Sequence, residues 1–186
     1  MKFIIASHNK HKIEEFSRIL SPLGIEATTA DITEAEENGK TFMENSLIKS
    51  KSACKETNLP AIADDSGLCV DALGGEPGIY SARYAEEGQR KATVLKKLEN
   101  ITDRKAHFTC AISCVFPNGD TIEVEEICEG EISRGLLGDN GFGYDPIFVV
   151  NGKSFAQMTD KEKDDISHRG KALRVFKDKL AEYLNK

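Results

Sequence analysis

Between two runs of alternating apolar and polar residues, His107 to Phe116 and Thr121 to Cys128, stands the tight-turn sequence Pro117-Asn118-Gly119-Asp120. An Asn-Gly step between strand-period segments joins an antiparallel pair, so the chain cannot build a wholly parallel sheet. Its N-terminal part follows the other rule of assembly, strand then helix. Phe3-Ile4-Ile5-Ala6 reads as a buried strand, Ser7-His8-Asn9-Lys10 as a polar turn, and Ile13, Phe16, Ile19 and Leu20 as the apolar face of a helix. Pro22 and Gly24 end that unit, and Ile25 to Ala30 offers a second, weaker strand. A strand-helix opening beside a hairpin predicts an α/β fold with a mixed sheet.

Asp31 to Gly39 is acidic and reads as a loop, after which Thr41 and Glu44 match a capping box and Met43, Leu47 and Cys54 continue a helical stripe towards Asn58. Pro60 opens the short apolar strand Ala61-Ile62-Ala63, which is expected to end on Asp64-Asp65. Gly74-Gly75-Glu76-Pro77-Gly78 forms a turn cluster, and Ala92 to Leu98 a short helix with Val94, Leu95 and Leu98 on one side. A glycine-rich stretch, Gly135 to Gly143, leads through Phe142-Gly143-Tyr144-Asp145-Pro146 into a strand at Ile147 to Val150. The last helix starts near Ser167, an N-cap residue type, carries His168 and Arg169 in its first turn and presents Leu173, Phe176, Leu180 and Leu184 to a core. No repeat or linker composition divides the chain, so residues 1–186 are expected to form one domain.

Composition removes several classes of function. A formal net charge of -6 argues against gripping a long nucleic acid, whose affinity rests on many Lys and Arg contacts, but leaves room for a small anion held by locally placed cations. No apolar run approaches the roughly 20 residues that span a bilayer, and the apolar start is too short for a signal peptide, so the cytosol is the expected location. Five cysteines have no C-x-x-C spacing, which points away from zinc. Cys110 and Cys114 share a strand face about 13 Å apart, too far for a disulfide, and read as small core residues.

Chemistry concentrates at Asp64-Asp65. Adjacent carboxylates running out of an apolar strand resist burial unless a cation or hydrogen-bond donors offset them. Successive strand residues face opposite sides, so the two acids must have different jobs. The plain alternative is one Asp capping the turn at Ser66-Gly67 and the other in water. Glu36 and Glu37 are ordinarily solvated charge, but one of them beside a strand-end aspartate would complete a hard oxygen site for magnesium, which takes one or two carboxylates plus phosphate oxygens. The strand-loop-helix at residues 3 to 20 brings backbone amides and a helix N-terminus to an anion, with Lys10 and Lys12 adding charge, although it lacks a P-loop pattern. Phe142 beside flexible glycines suits stacking on a planar base with Asp145 reading its edge; the plain alternative is a structural turn with two packed rings. Lys163, His168 and Arg169 add donors near the final helix.

These parts occur in order as Ser7-His8-Asn9-Lys10-His11-Lys12, Glu36 to Asn45, Ala63 to Leu68, Pro77 to Tyr84, Phe142 to Pro146 and Ser167-His168-Arg169. In that order, over nearly the whole chain, they resemble the inosine triphosphate pyrophosphatases, also called XTP/dITP or non-canonical purine NTP pyrophosphatases. The resemblance implies a long mixed central sheet flanked by helices, with two lobes around a nucleotide cleft, in a homodimer. It implies triphosphate contacts from Ser7, Asn9 and Lys12, in a substrate-binding loop that also includes His8, Lys10 and His11, with Lys49 as a further phosphate contact. It makes Glu37 and Asp65 magnesium ligands and Asp65 the general base. Ser66, Phe142, Gly143, Tyr144, Asp145, Lys163, His168 and Arg169 match substrate-binding positions. His8, His11 and Asn38 depart from the residues usual in the family.

The reaction so implied is Mg2+-dependent hydrolysis of ITP, dITP and XTP to the monophosphate and pyrophosphate, with donors aimed at the purine 6-oxygen rejecting adenine. Two other readings stay open: a Maf-like pyrophosphatase acting on other modified nucleotides, which the Ser-His-Arg and Phe-Gly-Tyr-Asp motifs disfavour, and a non-catalytic nucleotide sensor, which the presence of Asp65 and Glu37 disfavours.

Overall fold

The computed structural model describes residues 2–21 and 24–185. Pro22, expected to help end the first strand-helix unit, lies outside them. Among the described residues there are seven strands, β1 (Lys2–Ile5), β2 (Glu26–Thr28), β3 (Ala61–Val70), β4 (Lys105–Val115), β5 (Thr121–Ile132), β6 (Phe148–Val150) and β7 (Lys153–Ser154), and five α-helices, α1 (Lys10–Leu20), α2 (Phe42–Thr57), α3 (Arg90–Lys97), α4 (Asp160–Ile166) and α5 (His168–Leu184); strand and helix alternate as far as β4, after which β4 to β7 precede α4 and α5. Hydrogen bonding orders the strands β2-β1-β3-β4-β5-β6-β7. Strand β1 is parallel to β2 and β3, whereas β5-β6 and β6-β7 are antiparallel, so the sheet is mixed as the sequence requires.

The chain divides into two compact units, which β3, β4 and β5 each run through in turn: residues 1–65, 110–126 and 169–186 form one, residues 66–109 and 127–168 the other. In the first, Phe3, Ile5, Phe16, Leu20, Ile62, Cys110, Ile112, Cys114, Leu173 and Phe176 are packed together and essentially inaccessible. Cys110 and Cys114 are thus core residues, and all five cysteines are free thiols. At the turn joining β4 to β5 the Phe116 carbonyl accepts the Gly119 N–H at 2.9 Å, and Gly119 sits at φ 92°, where a side chain would be strained. A smaller cluster, including Ile4, Ala53, Ala61 and Ala63, seats α2 on β1 and β3. In the second unit the core is Leu68, Val70, Val94, Leu98, Phe108, Ile132, Phe148 and Phe155 with their neighbours.

Four expectations need correction. Strand β3 does not end at the two acids; it continues through Ser66 and Gly67 to Val70, and both Asp64 and Asp65 are buried, so neither caps a turn or stands in water. The capping box of α2 is displaced by one residue: Thr41 Oγ accepts the Glu44 N–H at 3.1 Å, but the Glu44 carboxylate accepts from Lys40 N–H at 2.6 Å instead of from Thr41. The buried face of α2 is Asn45, Ser46, Ser50, Ala53 and Cys54; of the expected stripe Cys54 is buried and Leu47 packs partly buried against the same cluster, but the face is mainly polar and Met43 is only half-buried. Its polar members are satisfied internally: Ser46 and Ser50 bond Ser113 at 2.8 and 2.7 Å. Leu184, the last residue of α5, is exposed while Leu173, Phe176 and Leu180 are buried as expected.

Candidate active site

Strand β3 splits its two acids between two sets of partners. On one side Asp64 Oδ2 receives the Lys12 ammonium from α1 at 3.0 Å and the Arg169 guanidinium from the start of α5, Nη2 at 3.0 Å and Nε at 3.4 Å. Arg169 Nη1 also donates to Glu15 Oε2 on α1, so one guanidinium ties two acids together, and all three residues are almost wholly buried. Burial works against the Asp64 charge, but Lys12, Arg169 and Lys49 together outweigh it and hold its carboxyl far below the usual range. Asp64 is therefore a fixed anion that anchors cations.

The other side holds Asp65. Asn45 Nδ2 donates to its Oδ2 at 3.2 Å, and the Lys49 ammonium lies 3.6 Å from its Oδ1 and 2.6 Å from Glu37 Oε1. Asn45 and Lys49 are one turn apart on the same face of α2, which is why both reach the strand. The Asn45 side-chain carbonyl accepts the Gly39 N–H at 2.8 Å, and the Glu56 carboxylate accepts the Thr33 N–H at 3.1 Å, so the acidic loop that carries Glu37 is pinned at both ends to α2. Burial pushes the Asp65 carboxyl above its ordinary value; Lys49 and Lys12 offset this in part, and Glu37 and Asp64 reinforce it. For Lys49, burial is outweighed by Asp64, Asp65 and Glu37, and its ammonium is stabilised. A raised carboxyl beside two cations is suited to taking a proton, whereas Asp64 is not.

The loop before α1 turns its polar groups inward on the helix start. The Asn9 side chain caps α1 by accepting His11 N–H at 3.1 Å and Lys12 N–H at 3.3 Å, and Ser7 Oγ accepts Asn9 N–H at 3.2 Å. His8, Asn9, Lys10 and His11 are exposed and Lys12 half-buried. The loop thus offers solvent-facing residues beside a helix N-terminus, with Lys12 reaching back to Asp64.

In the second unit, Asp145 Oδ2 accepts the Phe142 N–H and the Lys163 ammonium, both at 2.8 Å, and the ammonium lies 4.7 Å from the Phe142 ring centroid. Gly141, at φ 72°, lies so close to that carboxylate that a Cβ would collide with it. Gly143 also has positive φ, 60°. Tyr144 is packed in the core and donates its hydroxyl to the Ser81 carbonyl at 2.8 Å, so of the two rings only Phe142 retains substantial exposure. His168 is buried with its ring stacked on Phe108 at 4.5 Å, 9° from parallel. Ser66 is half-buried on β3.

Burial raises the Tyr144 hydroxyl to about 12. Because the folded value exceeds the unfolded one of 10.0, this group's contribution is intact below pH 10 and is lost as pH rises towards about 12. Alkaline unfolding followed by circular dichroism should show a steep loss of stability over that window, shallower in Tyr144→Phe; an unchanged slope in the variant would refute the assignment.

The residues read from the sequence therefore gather as Lys12, Glu37, Lys49, Asp65 and Arg169 in the first unit, and as Phe142, Tyr144, Asp145, Lys163 and His168 in the second. Glu15 and Asn45 were not singled out. The signal for Asn45 was its four-residue spacing from Lys49; for Glu15, an acid three residues after Lys12 beside an apolar helical face. Among the described residues no group of three or more His, Cys, Asp or Glu side chains is placed to hold a metal ion by itself. Glu37 and Asp65 nonetheless converge on a cation, the Lys49 ammonium, and two hard carboxylates suit magnesium when phosphate oxygens and water complete the shell.

Fold and site together define a mixed α/β protein whose long third strand carries one carboxylate held charged by neighbouring cations and one with an elevated pKa beside a lysine and a second acid. The model of the Ham1 family matches residues 3–179, and the chain belongs to the Ham1 family. It is 47% identical over 174 residues to a dITP/XTP pyrophosphatase of Synechocystis, covering 91% of this chain and 90% of that protein. Among solved structures it is similar to a HAM1 protein of Coxiella burnetii, TM-score 0.90 at 39% identity over 98% of this chain and 99% of the other. It is likewise similar to the Staphylococcus aureus Ham1 protein, TM-score 0.87 at 42% identity, covering 98% of this chain and all of that one.

Proposed function

We propose that this chain hydrolyses non-canonical purine nucleoside triphosphates, dITP, XTP and ITP, to the monophosphate and pyrophosphate with Mg2+, and so clears such nucleotides from the pool. Curated relatives at 41% to 47% identity over nearly the full chain carry the name dITP/XTP pyrophosphatase, which makes the chain a nucleotide pyrophosphatase, a hydrolase of the triphosphate anhydride. The observation that carries the chemical reading is Asp65, a buried carboxyl with a raised pKa beside Lys49 and Glu37. The homodimer and cytosolic location belong to the same proposal; among the described residues no helix is long and apolar enough to cross a membrane.

Glu37 and Asp65 would hold magnesium, which when bound supplies positive charge against the phosphate oxygens. Asp65 takes the proton from the water that attacks the α-phosphorus, and the bond from that phosphorus to its bridging oxygen breaks, releasing pyrophosphate. Lys12, steadied by Asp64, offsets charge on the leaving group, and the capped start of α1 with Ser7 and Asn9 takes phosphate oxygens. Lys163 and Asp145 fix the Phe142 loop for the base. Buried donors facing a purine 6-oxygen are left unpaired by adenine, a penalty of roughly 1–3 kcal/mol each.

Pyrophosphate release should be about 100-fold or more faster on dITP and XTP than on dATP and dTTP, and should require Mg2+, a range reached when one or two such donors discriminate. Equal rates on dITP and dATP would refute the selectivity, and full activity in EDTA would refute the metal.

A further inference from the structure

In the first unit each side of β3 pairs acids with cations. Around Asp64, two acids (Asp64, Glu15) meet two cations (Lys12, Arg169). Around Asp65, two acids (Asp65, Glu37) share the ammonium of Lys49, which touches one carboxylate at 2.6 Å and the other at 3.6 Å. That ammonium occupies the position of a cation between the same two carboxylates that the proposed function gives to magnesium. It is delivered by a rigid element, since Lys49 lies in the middle of α2, whereas Glu37 comes from a loop without regular structure.

We propose that Lys49 is the resident counter-ion of this site: in the metal-free protein it holds Glu37 against Asp65, and a divalent cation must displace it to bind. This rests on the reading of Glu37 and Asp65 as metal ligands. Two like-charged groups cannot share the same lone pairs, so the ammonium lowers the site's affinity for metal while keeping the buried Asp65 and the half-buried Glu37 from repelling one another when no metal is present. Once displaced, the same ammonium is available to other anions nearby. Lys49 is on this account a positioning residue for the acid pair, and its removal acts in opposite directions on metal affinity and on metal-free stability. A lysine that only braced the fold would lower both, and one that only contacted phosphate would alter neither.

The test measures Mn2+ binding to nucleotide-free protein by titration calorimetry and by the electron paramagnetic resonance signal of free Mn2+, alongside melting in EDTA, for wild type, Lys49→Met, Lys49→Gln and Glu37→Gln. The expected result is Mn2+ binding about tenfold tighter in both Lys49 variants than in wild type, the effect of relieving one nearby positive charge, with a lower melting temperature in EDTA. The Gln variant keeps a hydrogen-bonding end and so remains readable if the Met variant folds poorly. Glu37→Gln should bind Mn2+ more weakly than wild type. Unchanged or weaker Mn2+ binding in the Lys49 variants, with measurable binding in wild type that Glu37→Gln weakens, would overturn the role of Lys49 and leave the metal site standing. No Mn2+ binding in any of the four proteins, with or without a non-hydrolysable triphosphate, would overturn the metal site and the counter-ion with it.

Discussion

Asp65→Asn should lower kcat for pyrophosphate release by about 10³-fold or more, within the range a general base contributes, while the protein stays folded. The two halves of that expectation have separate grounds. The amide cannot accept a proton, and it offers one neutral oxygen where Asp65 offers two charged ones, so both proton transfer and proposed metal binding fail together. Folding is spared because the substitution keeps the side chain's size and an oxygen for the Asn45 Nδ2 donor now 3.2 Å away. The carboxylate it replaces is one that burial already disfavours as an anion, so losing its charge removes a cost as well as an attraction. Lys49 retains Glu37 at 2.6 Å, which limits any rearrangement of the loop. Steady-state kinetics on dITP with melting curves for both proteins decide the matter. An Asp65→Asn enzyme within tenfold of wild type would remove Asp65 from the chemistry; a collapsed melting temperature would mean that the residue's main part is structural.

Elements with strong periodicity were legible before any coordinates. The Asn118-Gly119 turn and the faces of α1 and α5 follow from local rules, because each is fixed by residues a few positions apart. What the sequence hid was set by distant partners. Ser66 and Gly67 look like a turn, yet β3 carries on through them, beyond its pairing with β1 at Ala61 and Ile62, because its other neighbour in the strand order is the long β4, whose hydrogen bonds outweigh local turn preference. The buried polar face of α2 defeats an apolar-periodicity reading, since Ser46 and Ser50 are satisfied by Ser113, more than sixty residues later in the chain. Helix α4 was absent from the reading: Thr159 and Glu162 make its capping box, but the helix is only seven residues long and mostly polar, so no apolar stripe announces it. At the site, alternation along a strand told that Asp64 and Asp65 differ. It could not tell which would meet Arg169, because that depends on where α5 returns, a hundred residues on. Arg169 was read from its motif as a substrate donor; its guanidinium in this structure is engaged by Asp64 and Glu15.

That engagement sets the second large effect. Arg169→Met should cost about 3–5 kcal/mol of stability, the loss typical when one member of a buried ion network is removed, which for a chain of this size lowers the melting temperature by roughly 6–20 °C. The side chain is 3% exposed, and it is the link between Glu15 on α1 and Asp64 on β3. Without it Glu15 loses the guanidinium's charge, and Asp64 loses one of the cations that hold it, keeping Lys12 at 3.0 Å. Methionine fills much of the same volume, so the penalty measures uncompensated charge more than a cavity. The control follows from that distinction: adding Glu15→Gln and Asp64→Asn to Arg169→Met removes the stranded charges and should recover at least half of the lost stability, a non-additive result expected only of side chains in one network. Denaturant unfolding of the single and triple variants reads both quantities. A single variant within about 1 kcal/mol of wild type would show that the network is not what holds α1, β3 and α5 together, since surface-like ion pairs fall in that range. A triple variant no more stable than the single one would instead trace the loss to packing around the arginine stem, with the buried charges contributing little.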